Sequence, residues 1–212
     1  YCVWSSDVCS SDLTQIEFIC EYLERKNIDY IFTREPGGTP ISEKIRAIIL
    51  DKDNSEMDPV AEALLYAASR AQHVNQLIGP ALERGKVVIC DRFVDSSIAY
   101  QGYGRGLGEL VSVINSYAIG KYMPDITFLF ELPVEVGLER LKGSKDRMES
   151  QEFEFHKAVS EGYEEIKKNY KSRIIPIDAE RSVSAVKDDI ISHMDRISTR
   201  SEERRVGKEC RS

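Results

Sequence analysis

The chain has 212 residues, of which 42% are apolar and 31% charged, and its formal net charge is −7. That length and balance suit one soluble domain with a substantial core. The acidic surplus argues against a general nucleic-acid binder but leaves room for a small anion held by local arginines; the lack of a long apolar run or a signal-like N-terminus argues against a membrane span or secretion and for the cytoplasm.

In chain order, the first stretch, WSSDVCSSDL, resembles the translation of a sequencing-adapter oligonucleotide, and RSEERRVGKEC near the end resembles that of its companion. Residues 1–13 and 200–212 are therefore expected to be non-native tails, outside the domain. The head carries −2 and the tail +2, so residues 14–199 keep the charge of −7. Cys20 and Cys90 are the cysteines inside that body, and they read as small buried apolar residues in a reducing compartment.

The body opens with a helical pattern, Ile16, Ile19 and Leu23, followed by a β-branched and aromatic run ending at Thr33 that reads as a strand. REPGGT follows as a loop, and SEKIRAIILD reads as a helix. Asp58 before Pro59 is a helix start: an acceptor at the cap and a proline at the first position. That helix is predicted to run toward Leu77 and to kink or break at Gly79-Pro80. KVVIC ending at Cys90, DITFLF ending at Phe130 and RIIPID ending at Asp178 read as further strands; the first two are continuous apolar runs of the kind buried on both faces of a parallel sheet. Helical patterns at Val159, Tyr163, Ile166 and Tyr170, and at Val183, Val186, Ile190 and Met194, alternate with them. The alternation predicts an α/β, doubly wound parallel sheet.

Five motifs could carry chemistry. Asp91 and Arg92 follow a strand at the sheet edge where ligands bind, as a metal-organising carboxylate and a phosphate clamp or as a strand-end ion pair. In FTREPGGT, Gly37 and Gly38 either admit a ligand to the backbone, with Arg34 for an anion, or make a tight turn. Tyr66 and Arg70 share one helix face, to stack on and hydrogen-bond a base or to pack as core and surface. DSSIAYQGYGRG gathers hydroxyls, an amide and glycines, and the basic residues Arg140, Lys142, Lys145 and Arg147 fall between two helix patterns, as a functional cluster or a solvated face. The histidines His73, His156 and His193 show no metal-ligand spacing and read as structural or exposed.

Taken in order, FTREPGGT, LLYAASRAQH, CDRFVDSSIAYQGYGRG, PDITFLFELPVEVGLERL and DRMES resemble the bacterial thymidylate kinases, of the P-loop kinase superfamily, over nearly all of residues 14–194. The resemblance implies transfer of the γ-phosphoryl of ATP to dTMP with Mg²⁺, by positioning and charge neutralisation. It implies that Arg92 binds the acceptor phosphate and approaches the transferring group, and that Asp91 organises the metal. Tyr66, where the family often has Phe, stacks on thymine; Arg70 meets a thymine carbonyl; Ser97 and Gln101 lie near the base and Tyr100 crowds the sugar. Arg34, Glu35, Gly37 and Gly38 line the acceptor phosphate pocket. The lid is about 142–150, with Arg147 and then Lys145 reaching ATP; Thr14 follows the phosphate loop, and Asp178 and Ala179 flank adenine. A homodimer is implied as well. Glu131 stands where the family pattern has Asp.

The superfamily's GxxxxGK[ST] loop occurs nowhere in the chain. The first, central strand and the phosphate loop are thus expected to be missing, leaving a poorly stable, inactive polypeptide. Other nucleoside monophosphate or deoxynucleoside kinases, and a non-catalytic nucleotide-binding fragment, remain as alternative readings.

Overall fold

A computed structural model describes residues 2–4, 11–140 and 146–209, with side chains described over 14–139 and 146–197. Five parallel strands form one sheet: β1 (Cys2–Trp4), β2 (Tyr30–Arg34), β3 (Val87–Asp91), β4 (Ile126–Glu131) and β5 (Ile174–Asp178), in the order β2-β3-β1-β4-β5. The apolar runs read as β3 and β4 are buried on both faces, as neighbours on each side require.

The centre of the sheet corrects the expectation of a missing first strand. Residues Cys2–Trp4 occupy it, pairing with Val88 and Ile89 on one side and with Ile126 and Thr127 on the other. Two neighbouring strands with open inner edges offer any extended segment a full set of partners, whatever its side chains. The helix that follows, α1 (Ser11–Arg25), also begins inside the stretch set aside on sequence grounds, and α9 (Val183–Glu209) continues beyond residue 199.

Helices cover both faces. Between them and the sheet, α1 and α9 contribute Ile16, Ile19, Leu23, Val186 and Ile190 to a core that also holds Phe128 and Ile177. The other α-helices among the described residues are α2 (Pro40–Leu50), α3 (Pro59–His73), α4 (Gly79–Glu83), α5 (Val94–Ser97), α6 (Glu109–Ile119), α7 (Val134–Arg140) and α8 (Phe153–Asn169). Asp58 caps α3 as its sequence predicts, accepting from the amides of Val60 and Ala61 at 2.8 and 3.2 Å.

Gly79-Pro80 does not break the chain out of helix. Residues Val74–Ile78 form one π-helical turn, and Gly79 keeps right-handed helical angles of −57° and −53°. Widening the turn removes the demand for the amide that Pro80 lacks and gives its ring room. A second π-helical segment, Ile98–Gly104, puts much of the glycine-rich stretch into helix, where Gly104 admits Phe155 and Gly162 admits Tyr103 at close range. Among the described residues, no helix is long and apolar enough to cross a membrane.

Candidate active site

At the carboxyl edge of β2 and β3, a cleft with about 870 Å³ of empty space is lined by Arg34, Glu35, Arg46, Tyr66, Arg70, Asp91, Arg92, Ser97, Tyr100 and Gln101. This is the sheet edge where a doubly wound fold puts its ligands. Three segments build it: the loop after β2, the inner face of α3, and the segment after β3.

α3 supplies the floor. Glu62, Tyr66, Arg70 and His73 follow one another at helical spacing and so share one face. Burial, followed by the nearby Glu62 charge, pushes the Tyr66 phenol up, so the ring enters the cleft as a neutral aromatic plate. Arg70 is 2% exposed. Its Nε donates to Glu35 at 2.7 Å, its Nη1 to Ser97 at 3.0 Å and to Asn115, and its Nη2 to the Phe93 carbonyl at 3.0 Å. Four of its five N–H groups are thereby committed, leaving one Nη2 hydrogen without a partner among the described residues.

Glu35 is used differently from the expected phosphate-pocket lining. One oxygen takes Arg70 and the other lies 2.9 Å from His73 Nδ1, so its carboxylate holds other side chains in place. Gly37 and Gly38 have φ of +133° and +84°, a region that favours glycine, and a Cβ on Gly38 would sit 2.5 Å from His73 Nε2. Arg34 pairs with Glu43 at 3.2 Å, and Arg46, which sequence reading missed, donates to the Pro36 carbonyl at 2.8 Å. Burial and then the adjacent Arg34 pull the Arg46 guanidinium below its usual range. Arg34 and Arg46 converge on the Pro36 carbonyl, an arrangement that could present both guanidiniums to an anionic ligand.

After β3, Asp91 and Arg92 line the cleft as half-buried side chains. Arg92 has φ of +62°, a left-handed conformation unusual for a side-chain-bearing residue, and its guanidinium lies 5.5 Å from the centre of the Tyr100 ring. Ser97 is held by Arg70. Gln101 donates to Glu62 at 3.0 Å, while its Oε1 is buried without a hydrogen-bond partner among the described residues.

Glu62, with no exposed surface, is the hub that sequence reading missed. It accepts from Gln101 and from Arg105 Nε at 3.2 Å and Nη2 at 3.0 Å, and Arg147 Nη2 lies 2.7 Å away as an ion pair without the direction of a hydrogen bond. Burial alone would push this carboxyl up, but hydrogen bonds from Arg105 and Gln101, with the close Arg147 guanidinium, hold it below the usual range. Arg147, expected on a lid reaching ATP, is instead buried beside α3 and donates to the Ile49 carbonyl at 2.7 Å. Lys145 and the first part of the expected lid, 142–145, lie outside the described residues.

The residues expected around ATP are not in this cleft. Thr14 sits half-buried in the first turns of α1; Asp178 is exposed at the end of β5; the Ala179 amide donates to the Glu131 carbonyl at 3.0 Å. Asp178 and Ala179 lie at the end of β5, at the cleft's sheet edge on the far side of β1. Glu131 pairs with Lys167. Of the histidines, His73 and His156 are buried and His193 is half-buried. Glu35, His73 and Cys90 bring ligand atoms within 4.8 Å of one another, but Arg70 and His73 already saturate the carboxylate.

A parallel α/β sheet with arginines converging on a cleft at its carboxyl edge, beneath an aromatic plate, defines a nucleotide-handling protein of the doubly wound class. The family model described as thymidylate kinase matches residues 13–190, and the chain belongs to that family. It is 48% identical over 186 residues to a thymidylate kinase of Clostridium novyi (strain NT), covering 85% of this chain and 91% of that protein. With a thymidylate kinase of Symbiobacterium thermophilum the identity is 49% over 183 residues, covering 85% and 86% of the two chains. The crystal structure of thymidylate kinase from Ehrlichia chaffeensis superposes with a TM-score of 0.71 at 31% identity, covering 91% of this chain and 96% of that one.

Proposed function

We propose that this fold serves the transfer of a phosphoryl group from ATP to dTMP, and that its acceptor half is complete. The observation that carries the reading is the pair of uncommitted groups in the cleft: one Arg70 Nη2 hydrogen and the Gln101 Oε1 acceptor. Thymine presents a carbonyl beside an N3–H, the complementary pair, whereas cytosine presents an amine beside a bare ring nitrogen. Tyr66 gives the ring a face to stack on, and Ser97 lies at the base side. Tyr100 occupies the space beside the sugar.

Arg34, Arg46 and Arg92 neutralise the acceptor phosphate. Because the acceptor is itself an anion, the reaction needs charge screening and alignment more than a strong base. Asp91, a half-buried carboxylate at the strand end, fits a Mg²⁺ that keeps most of its waters; the ion would screen the two approaching anions. Thr14, Lys145, Arg147, Asp178 and Ala179 belong to the ATP side of this proposal. For Arg147 it requires release from Glu62 when the donor binds.

The flanks 1–13 and 200–212 are proposed to be adapter-derived, in keeping with a family match of 13–190. Without a GxxxxGK[ST] loop this chain binds the acceptor but does not turn it over. A cytoplasmic homodimer completes the proposal. Ile41 and Ile48 on α2, Val60 and Leu64 on α3, and Leu110, Val113 and Tyr117 on α6 form exposed apolar stripes on adjoining helices, with Tyr117 86% exposed.

Calorimetric titration with dTMP, dCMP and UMP, beside an ADP-release assay, tests the reading. The expected result is dTMP binding at least tenfold tighter than the other two, with no turnover. Equal or absent binding would overturn the acceptor assignment, and ordinary turnover would overturn the inactivity.

A further inference from the structure

We propose that His73 is a positioning residue for base recognition, acting through Glu35 to orient Arg70. The inference rests on the acceptor reading above and assigns a role to a side chain that the cleft's lining does not include.

His73 has no exposed surface and lies at the end of α3, one turn beyond Arg70. Its Nδ1 is 2.9 Å from Glu35 Oε1 and its Nε2 is 2.7 Å from Thr33 Oγ1. An ionised carboxylate can only accept, so the network assigns the proton to Nδ1, and the Thr33 hydroxyl then donates to Nε2. The other Glu35 oxygen takes Arg70 Nε. The imidazole thus fixes one end of a carboxylate whose other end fixes the guanidinium. That carboxylate sits on a loop between two glycines' worth of backbone freedom and β2. With only the Arg70 bond, it could rotate about its own side chain; with both oxygens held, it has one orientation.

Packing supports the same reading. Gly38 leaves space that a Cβ would take from both His73 Nε2 and Thr33 Oγ1, at 2.5 and 2.6 Å. The loop that follows Arg34 and the helix that carries the base-reading Arg70 therefore meet at His73. What the imidazole controls is the direction of the remaining Arg70 N–H, and so the base end of the ligand. The phosphate end is held by Arg34, Arg46 and Arg92, whereas the polar contacts of His73 go to Thr33 and Glu35.

The test compares dTMP with 2-deoxyribose 5-phosphate, which has the sugar and phosphate but no base. Both are titrated into the full chain and its His73→Phe, His73→Asn and His73→Gln variants, with melting temperature recorded for each. Asparagine places an amide near the Nδ1 position and keeps the Glu35 contact; glutamine reaches toward Nε2 and loses it. The expected result is a loss of dTMP affinity of about tenfold or more in His73→Phe and His73→Gln. His73→Asn restores most of it, and the sugar phosphate changes less than twofold in all three. Equal losses for both ligands, or losses that follow melting temperature and not the identity of the substituent, would overturn the positioning role. Failure of the unsubstituted chain to prefer dTMP over the sugar phosphate would instead overturn the acceptor reading itself.

Discussion

Replacing Glu62 by alanine leaves the guanidiniums of Arg105 and Arg147 and the Gln101 amide facing a hole with no anion. The two arginine side chains are 17% and 6% exposed, so water cannot take over the carboxylate's part. Removing one partner of such a buried pair costs about 3–5 kcal/mol. With a urea dependence of about 2 kcal/mol per molar, the unfolding midpoint should drop by about 1.5–2.5 M. Glu62→Gln keeps an acceptor oxygen and loses only the charge, so it should cost about 1–3 kcal/mol. The pH dependence gives an independent check. The folded Glu62 pKa is depressed, so its stabilisation is complete above the unfolded value of about 4.3 and is lost as pH falls through the lower folded value. The gap between the parent and Glu62→Gln should therefore be full at pH 7 and close in strong acid. Urea titrations read by circular dichroism across that range measure it. A Glu62→Ala midpoint within about 0.2 M of the parent, or a Glu62→Gln gap that does not narrow with acid, would refute the reasoning.

Further expectations concern backbone and surface. At Arg92, whose φ is +62°, glycine should be more stable than alanine by about 1 kcal/mol in thermal melts, while both lose dTMP binding. Gly38→Ala should lower the melting temperature and weaken dTMP, since its Cβ would strike His73 and Thr33; an unchanged variant would mean that the loop yields freely. Leu64→Glu, on the exposed stripe of α3, should halve the mass seen by light scattering without altering the far-ultraviolet spectrum. A monomeric parent would refute the dimer.

Much of the fold was legible because buried parallel strands must be apolar throughout, which is how Val87–Asp91 and Ile126–Glu131 stand out from the helices. The start of α3 was legible because Asp58 and Pro59 act locally. The partners of Glu35, Glu62 and Arg147 were not, since each lies 35 or more residues from the group it meets, and charge alone does not say which contact wins. Arg46 left only the faint sign of a lone guanidinium among isoleucines. Of the kink or break expected at Gly79-Pro80, the break does not occur, because a π turn resolves the proline conflict without leaving helical backbone. The central strand was missed for another reason: three residues carry no periodicity, and pairing by backbone asks little of sequence.

That short central strand gives the sheet an unusual weak line. β2 and β3 are joined along five residue pairs, and so are β4 and β5, while among the described residues the two ladders are linked by strand pairing through Cys2–Trp4. Most sheets fray from their edges inward. In this one the backbone ladder should open first along its middle, while the core that joins Ile89 to Phe128 keeps the two halves together. Amide hydrogen exchange would then be faster on the inner edges of β3 and β4, at the join, than between the strands of either leaf.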